Sequence, residues 1–256
     1  MAYENLILEK KDHVGILTIN RPPANAINLA TLIDIEGALD EIENDKDVRV
    51  VVLTGGGEKG FSAGFDVSDA ANADKTAPKG SALWTRIDRF PKPVIAAING
   101  FALGGGCELA LSCTFRIMVD SPKAVIGLTE LNLGIIPGWG GTQRLMRVVG
   151  KAQALDMILF SKRLTAQEAL KIGLVNKTAA PGETLNEALA LAAILTERPP
   201  LAVAAVLKAM TAGLDKGIDE GLKVELEGSG IVGASKDSKE GFAAFFEKRK
   251  PVFTGE

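Results

Sequence analysis

The sequence predicts an α/β fold, and three observations carry that expectation. Short apolar runs rich in β-branched residues alternate with helical patterns up to about residue 140. Glycine clusters punctuate the joins between them. Beyond that point the pattern turns almost entirely helical. The 256 residues suffice for one large core, or a core with a helical appendage.

Taken in order, residues 5–10 and 13–20 alternate as the arms of a β-hairpin around Lys11-Asp12, and Pro22-Pro23 stops the second arm. From Leu29, apolar residues at Leu32, Ile35, Leu39 and Ile42 mark an amphipathic helix with Asn28 as N-cap. Residues 48–54 are nearly all apolar, as in a strand buried on both faces, and Gly55-Gly56-Gly57 ends it. Residues 66–80 are polar, Ala-rich and weakly patterned, which suggests a mobile segment or a fraying helix. Residues 93–98 read as a second buried strand, 103–112 as a helix opened by glycines, and 115–119 and 124–128 as further strands. Later, Thr165-Ala166-Gln167-Glu168 has capping-box form with Gly173 as C-cap. Residues 185–195 and 201–210 are apolar helices separated by Pro199-Pro200, and 217–249 carry more helical turns with many charges.

Composition narrows the function. Hydrophobic residues make up 46% and charged residues 24%, which excludes disordered and disulfide-scaffold classes. A formal net charge of -3 argues against nucleic acid as the main partner. Cys107 and Cys113 suit a reducing compartment. The N-terminus, Met1-Ala2-Tyr3-Glu4-Asn5, lacks the pattern of a signal peptide, and no run of about 20 apolar residues suggests a membrane span. The expectation is a cytoplasmic protein. The one histidine, His13, sits at a hairpin turn, so any acid–base chemistry falls to carboxylates.

Two glycine runs deserve comparison. Gly55-Gly56-Gly57-Glu58-Lys59-Gly60 matches a dinucleotide pattern formally, but Phe61-Ser62-Ala63-Gly64-Phe65-Asp66 is a poor helix start. Gly104-Gly105-Gly106 opens an apolar helix, where free N–H groups favour an anion or a developing oxyanion. Glu108, one turn deeper among Leu109, Ala110 and Leu111, is either a reactive carboxylate or a capping Glu favoured by the helix dipole. Glu130 is a second carboxylate, which by itself reads as a surface residue at a strand end.

Together these segments resemble the crotonase (enoyl-CoA hydratase/isomerase) superfamily over essentially the whole chain. The resemblance is carried by Pro23-Ala24-Asn25-Ala26, by Phe61-Ser62-Ala63-Gly64-Phe65-Asp66, by residues 100–111 and 130–144, and by Phe246-Glu247-Lys248-Arg249-Lys250-Pro251. It implies a spiral of ββα units over residues 1–195 and a helical trimerisation region over 196–256. It implies a homotrimer or homohexamer, and an acyl-CoA thioester as ligand, with coenzyme A part of the substrate and no metal or redox cofactor.

By position, the amides of Phe65 and Gly105 look like an oxyanion hole, and Glu108 and Glu130 like the two hydratase carboxylates. Ala24, Ala26, Ala63, Phe65, Asp66, Val67, Gly104 and Trp139 fall in segments that touch substrate or CoA, and Lys248 looks like a contact to a neighbouring subunit's CoA phosphate. The implied reaction is reversible hydration of a 2-enoyl-CoA, as in β-oxidation, with Glu108 as base and Glu130 as acid. An enoyl-CoA isomerase, a hydratase of a cyclic dienoyl-CoA, and a CoA- or RNA-binding protein on the same fold are the alternatives.

The chain departs from the family pattern at Phe65 and Trp139, where small residues are common. Each is open to two readings, repacking or acyl selectivity. Thr114 and Leu128 depart as well, as replacements within the core.

Overall fold

The computed structural model describes residues 3–57 and 59–256. Met1, Ala2 and Glu58, which belong to the N-terminal segment and the first glycine run read above, lie outside the described residues.

The chain begins with the expected hairpin, β1 (Leu6–Lys11) and β2 (Val14–Ile19), paired antiparallel. His13 sits in its turn with φ +65° and is exposed. Helix α1 (Leu29–Glu43) follows, its Asn28 side chain accepting the Thr31 N–H at 2.9 Å. Leu32, Ile35, Leu39 and Ile42 all turn into the core, as their spacing requires.

Next come three repeats of one pattern. A strand enters a large sheet, a short strand enters a small one, and a helix returns the chain. The first repeat is β3 (Val50–Gly55), β4 (Gly60–Ser62) and α2 (Ala73–Asp88). The second is β5 (Val94–Ile98), β6 (Phe101–Leu103) and α3 (Gly105–Ser112). The third is β7 (Phe115–Val119), β8 (Ile126–Gly127) and α4 (Gly141–Val149). The large sheet runs β1-β2-β3-β5-β7-β9 and the small one β4-β6-β8. Beyond the hairpin every pairing between these strands is parallel. This is the spiral of ββα units that the family resemblance implied.

Both faces of the large sheet are covered. Val51 and Leu53 of β3 join the main core, while Val50 and Val52 join a second cluster under α7 (Thr184–Thr196). This explains why β3 shows no polar alternation.

Helices α5 (Lys151–Leu159) and α6 (Ala166–Lys171) and strand β9 (Lys177–Ala179) complete the body. Thr165 and Glu168 form the expected capping box. After α7 the chain bends through 107° into α8 (Pro200–Lys216), then α9 (Ile218–Gly233) and α10 (Lys236–Glu247). Helices α8 and α9 approach closely where Gly213 faces Gly221. Among the described residues no single helix is long and apolar enough to cross a membrane.

Four sequence expectations need correction. Residues 66–80 form regular helix rather than a mobile segment: a 3₁₀ turn (Val67–Asn72), whose N-cap Asp66 accepts the Ser68 N–H, runs into α2. The buried stripe of α2 is Thr76, Gly80, Leu83, Trp84 and Ile87. Its apolar anchors lie past residue 80, and Pro78 interrupts the pattern before them. The helix read from 103 starts at Gly105, because 101–103 form β6. The strand read over 124–128 shrinks to Ile126–Gly127. Finally, β9 stands within the stretch read as helical, and β4 within the glycine-flanked segment, where each is too short to show a period.

The first glycine run is not a dinucleotide loop. A Cβ on Gly55 would lie 2.6 Å from the Phe61 carbonyl oxygen, so the run lets β3 and β4 pass at backbone contact.

Candidate active site

The three strands of the small sheet end at one place. β4 leads to Ala63 and Phe65, β6 to Gly104 and Gly105, and β8 to Thr129 and Glu130. All of these residues line one cavity of about 270 Å³. The carboxyl ends of parallel strands are where open α/β sheets leave room for a ligand.

The corner is built from backbone. A Cβ on Gly105 would lie 3.3 Å from the Phe65 nitrogen, and one on Gly64 would lie 2.6 Å from the Gly105 nitrogen. The two amides therefore sit side by side. Among the described residues neither donates a backbone hydrogen bond. Gly64 has φ +84°, so its conformation and its crowding both call for glycine. Gly105 is the first residue of α3, where a helix offers unpaired donors.

Glu108 is 2% exposed and faces the same cavity. Its Oε1 accepts the Trp139 N–H at 2.8 Å and the Gly141 N–H at 2.7 Å. Both bonds fall on one oxygen, which leaves Oε2 for chemistry in the cavity. Burial pushes the Glu108 carboxyl up to about 7, against the two amide bonds that favour its charge, and the nearby Glu130 adds to the rise.

Glu130 opens a 3₁₀ turn (Glu130–Leu133) closed by Gly134 in the left-handed region. A Cβ on Gly104 would lie 3.4 Å from its Oε1. Its Oε2 is buried without a hydrogen-bond partner. Burial raises its carboxyl above the ordinary range as well. Two carboxyls of raised proton affinity beside two free amides can exchange a proton while an oxyanion forms next to them.

The loop carrying the two donors to Glu108 is clamped by Arg144, itself buried. Its guanidinium donates to the Trp139 carbonyl at 2.8 Å, to Asp88 at 3.0 Å and to Thr85 Oγ1 at 3.1 Å. The Trp84 indole N–H bonds the Gly105 carbonyl at 3.1 Å. Sequence reading missed Trp84, Arg144 and the amides of Trp139 and Gly141. The resemblance covered residues 130–144 and named Trp139, but gave no role to the amides there or to Arg144.

Of the expected site residues, Ala63, Phe65, Val67, Gly104, Gly105, Glu108, Glu130 and Trp139 line the cavity. Asp66 does not: it pairs with Arg21 at 2.7 Å and caps the 3₁₀ turn. Ala24 and Ala26 stand behind the wall, the Ala24 carbonyl accepting the Ala63 N–H at 3.0 Å. Lys248 ends α10 in the left-handed region, exposed and away from the cavity wall of its own chain.

Cys107 is fully buried, and burial holds its thiol well above the ordinary range, as suits a packing residue. The Thr114 hydroxyl accepts the Val94 N–H at 3.1 Å, and Leu128 packs where a Cβ on Gly141 would otherwise lie. Among the described residues no group of three or more His, Cys, Asp or Glu side chains could hold a metal.

A family model described as Enoyl-CoA hydratase/isomerase matches residues 9–256. The chain belongs to the enoyl-CoA hydratase/isomerase family. Within that family it is 44% identical to the short-chain-enoyl-CoA hydratase of Clostridium acetobutylicum, over 98% of this chain and 97% of the relative. It is 43% identical to the crotonyl-CoA hydratase of Syntrophomonas wolfei, over 99% of both. The crystal structure of an enoyl-CoA hydratase from Bacillus anthracis superposes with a TM-score of 0.94 at 38% identity, covering 99% of this chain and 100% of that one.

Proposed function

We propose that this enzyme adds water across the double bond of a 2-enoyl-CoA to give a 3-hydroxyacyl-CoA, and catalyses the reverse reaction. One observation carries the reading: two buried carboxyls and two unoccupied backbone amides face the same small, largely apolar cavity.

The thioester oxygen sits between the Phe65 and Gly105 amides. As water attacks C3, negative charge grows on that oxygen, and each donor is worth about 2.7–4 kcal/mol in the transition state. Glu108 and Glu130 hold one water between them. Glu108 takes a proton from the water as its oxygen bonds to C3, and Glu130 gives a proton to C2. Water's OH ends on C3 and a proton on C2. The proton on Glu108 then returns to Glu130, which restores the pair.

The hydrogen bonds favour this division of roles. Negative charge on Glu108 is held by two N–H groups on one oxygen, whereas Glu130, whose charge the main-chain amides of Thr129 and Glu130 favour, keeps an Oε2 with no donor. Burial opposes that order, since it weighs heavily on Glu108. The base role goes to Glu108 because its donors are directional and aimed at one oxygen, within a pair that shares a proton. A single-carboxylate isomerase would leave one of these two acids without work.

The test is hydration of crotonyl-CoA by the wild type, Glu108→Gln and Glu130→Gln, with a 3-enoyl-CoA as control. Each variant should lose at least about 100-fold in kcat. Near-full activity in either one overturns the two-carboxylate mechanism.

The reading extends to assembly as a homotrimer or homohexamer. Met210, Leu214, Leu222, Leu226, Phe245 and Phe246 on α8–α10 are all more than half exposed in the single chain, more apolar surface than a monomer keeps in water.

A further inference from the structure

The cavity has a wet end and a dry end. At the mouth, Val67 and Ile136 are 65% and 70% exposed. At the other end stands Trp139, 5% exposed, backed by the fully buried Trp84. A ligand whose nucleotide is large and charged must keep that part at the mouth. Its apolar acyl chain then runs inward, past Gly105 and Glu108, toward the indole.

The indole fills space that small residues leave open. Its Cζ3 lies so near Gly105 that a Cβ there would sit 2.5 Å away, and a Cβ on Gly80 of α2 would lie 2.6 Å from its Nε1. The ring is also fixed. Trp84 meets it edge-on at 5.5 Å between centroids, and Phe65 meets it edge-on at 6.2 Å. Its own backbone is tied at both sides, N–H to Glu108 and carbonyl to Arg144. A side chain held in this way is a stop, not a swinging gate.

We infer that the Trp139 indole, wedged between Gly80 and Gly105, is the length gauge of the acyl pocket and restricts the enzyme to short, straight 2-enoyl chains of about crotonyl size. This rests on the hydration reading and adds to it the class of acyl chain. Lengthening the chain forces its terminal carbons against a packed aromatic wall, where each misplaced methylene costs about 10-fold or more in kcat/KM. Shrinking residue 139 keeps its backbone N–H on Glu108, and the octenoyl-to-crotonyl ratio cancels any change in the chemistry that both chains share.

The experiment measures kcat and KM for crotonyl-, 2-hexenoyl-, 2-octenoyl- and 2-decenoyl-CoA with the wild type, Trp139→Phe and Trp139→Ala. Circular dichroism melts establish that each variant is folded. The wild type should lose at least about 10-fold in kcat/KM between crotonyl- and octenoyl-CoA. Trp139→Ala should raise the octenoyl-to-crotonyl ratio by at least about 10-fold, with Trp139→Phe between. A flat wild-type profile, or a folded variant that keeps the wild-type ratio, overturns the gauge. If neither variant folds, the wild-type profile alone decides. A protein that hydrates none of the series takes down the hydration reading, whereas one that hydrates all four alike takes down only the gauge.

Discussion

Glu108→Gln should make this protein more stable at pH 8 while removing its activity, and the structure gives the size of both effects. Glutamine has the shape of glutamate, and its carbonyl oxygen can accept the Trp139 and Gly141 N–H groups as Glu108 Oε1 does. What changes is the charge. Burial lifts the Glu108 carboxyl from an ordinary 4.5 to about 7. At 1.36 kcal/mol per pH unit, that rise is worth about 3 kcal/mol.

The sign follows from which state releases its proton first. Below pH 4.5 the group is protonated folded and unfolded, and it adds no pH-dependent term. Between 4.5 and about 7 the unfolded chain ionises while the folded one does not, so stability falls as pH rises. Above pH 7 the full penalty of about 3 kcal/mol applies, and glutamine escapes it.

Urea unfolding of both proteins at pH 4 and pH 8, at one protein concentration, reads the difference directly. The variant should match the wild type at pH 4 and exceed it at pH 8. In a thermal melt at pH 8 that is about 6–12 °C, taking about 2–4 °C per kcal/mol for a chain of this size. Hydration by the same sample should fall at least about 100-fold. A variant whose advantage is the same at pH 4 and pH 8 refutes the burial argument, and a variant with wild-type turnover refutes the role of the carboxylate.

Two further perturbations probe the backbone of the site. Gly64→Ala puts a Cβ 2.6 Å from the Gly105 nitrogen, in a conformation with φ +84°, and should lower kcat about 100- to 1000-fold by spoiling one oxyanion donor; steady-state kinetics showing a change in KM alone would count against that corner. Arg144→Lys loses the guanidinium fork that holds the Trp139 carbonyl, Asp88 and Thr85. The two amides that favour charge on Glu108 should then loosen, so the acidic limb of the kcat/KM pH profile should move to higher pH, which a purely structural role for Arg144 would not produce.

The elements with strong local patterns were readable in the chain. Helix α1 has its apolar stripe and its Asn28 cap, and β3 has its unbroken apolar run. Helix α2 was not readable, because its first turns are polar, Pro78 breaks the pattern, and its buried residues reach their anchors only at Leu83, Trp84 and Ile87. At the site, Glu108 announced itself as a carboxylate among apolar neighbours behind three glycines. Glu130 did not, because its burial, with Oε2 left unpartnered, arises only when β8 is laid beside β6. The groups that hold Glu108 are main-chain amides, which any residue supplies, so no side-chain identity could mark Trp139 and Gly141 as its partners. The resemblance to a family located the pair of acids. It also named several residues around them, Trp139 among them, but not how that ring is held. Its fit depends on Gly80 and Gly105, which come from separate helices and meet only in the folded core.

Those glycines also explain how one wall serves two ends. Where a side chain is absent, backbone amides and an aromatic ring can stand at the surface of the cavity with little else between them and a ligand. The dry wall that raises both carboxyls, Glu108 to about 7, also strengthens the amides' pull on a developing oxyanion, because both effects come from excluding water. Glu108 destabilises the fold for the same reason that it is useful in catalysis. The indole of Trp139 therefore has a second consequence beyond chain length. By filling the inner end it keeps water away from Glu108, so truncating it admits solvent and returns that carboxyl toward its ordinary range. Selectivity for a short chain and a carboxyl poised near pH 7 are then two results of one packed ring, and a substitution that widens the first should lower the second.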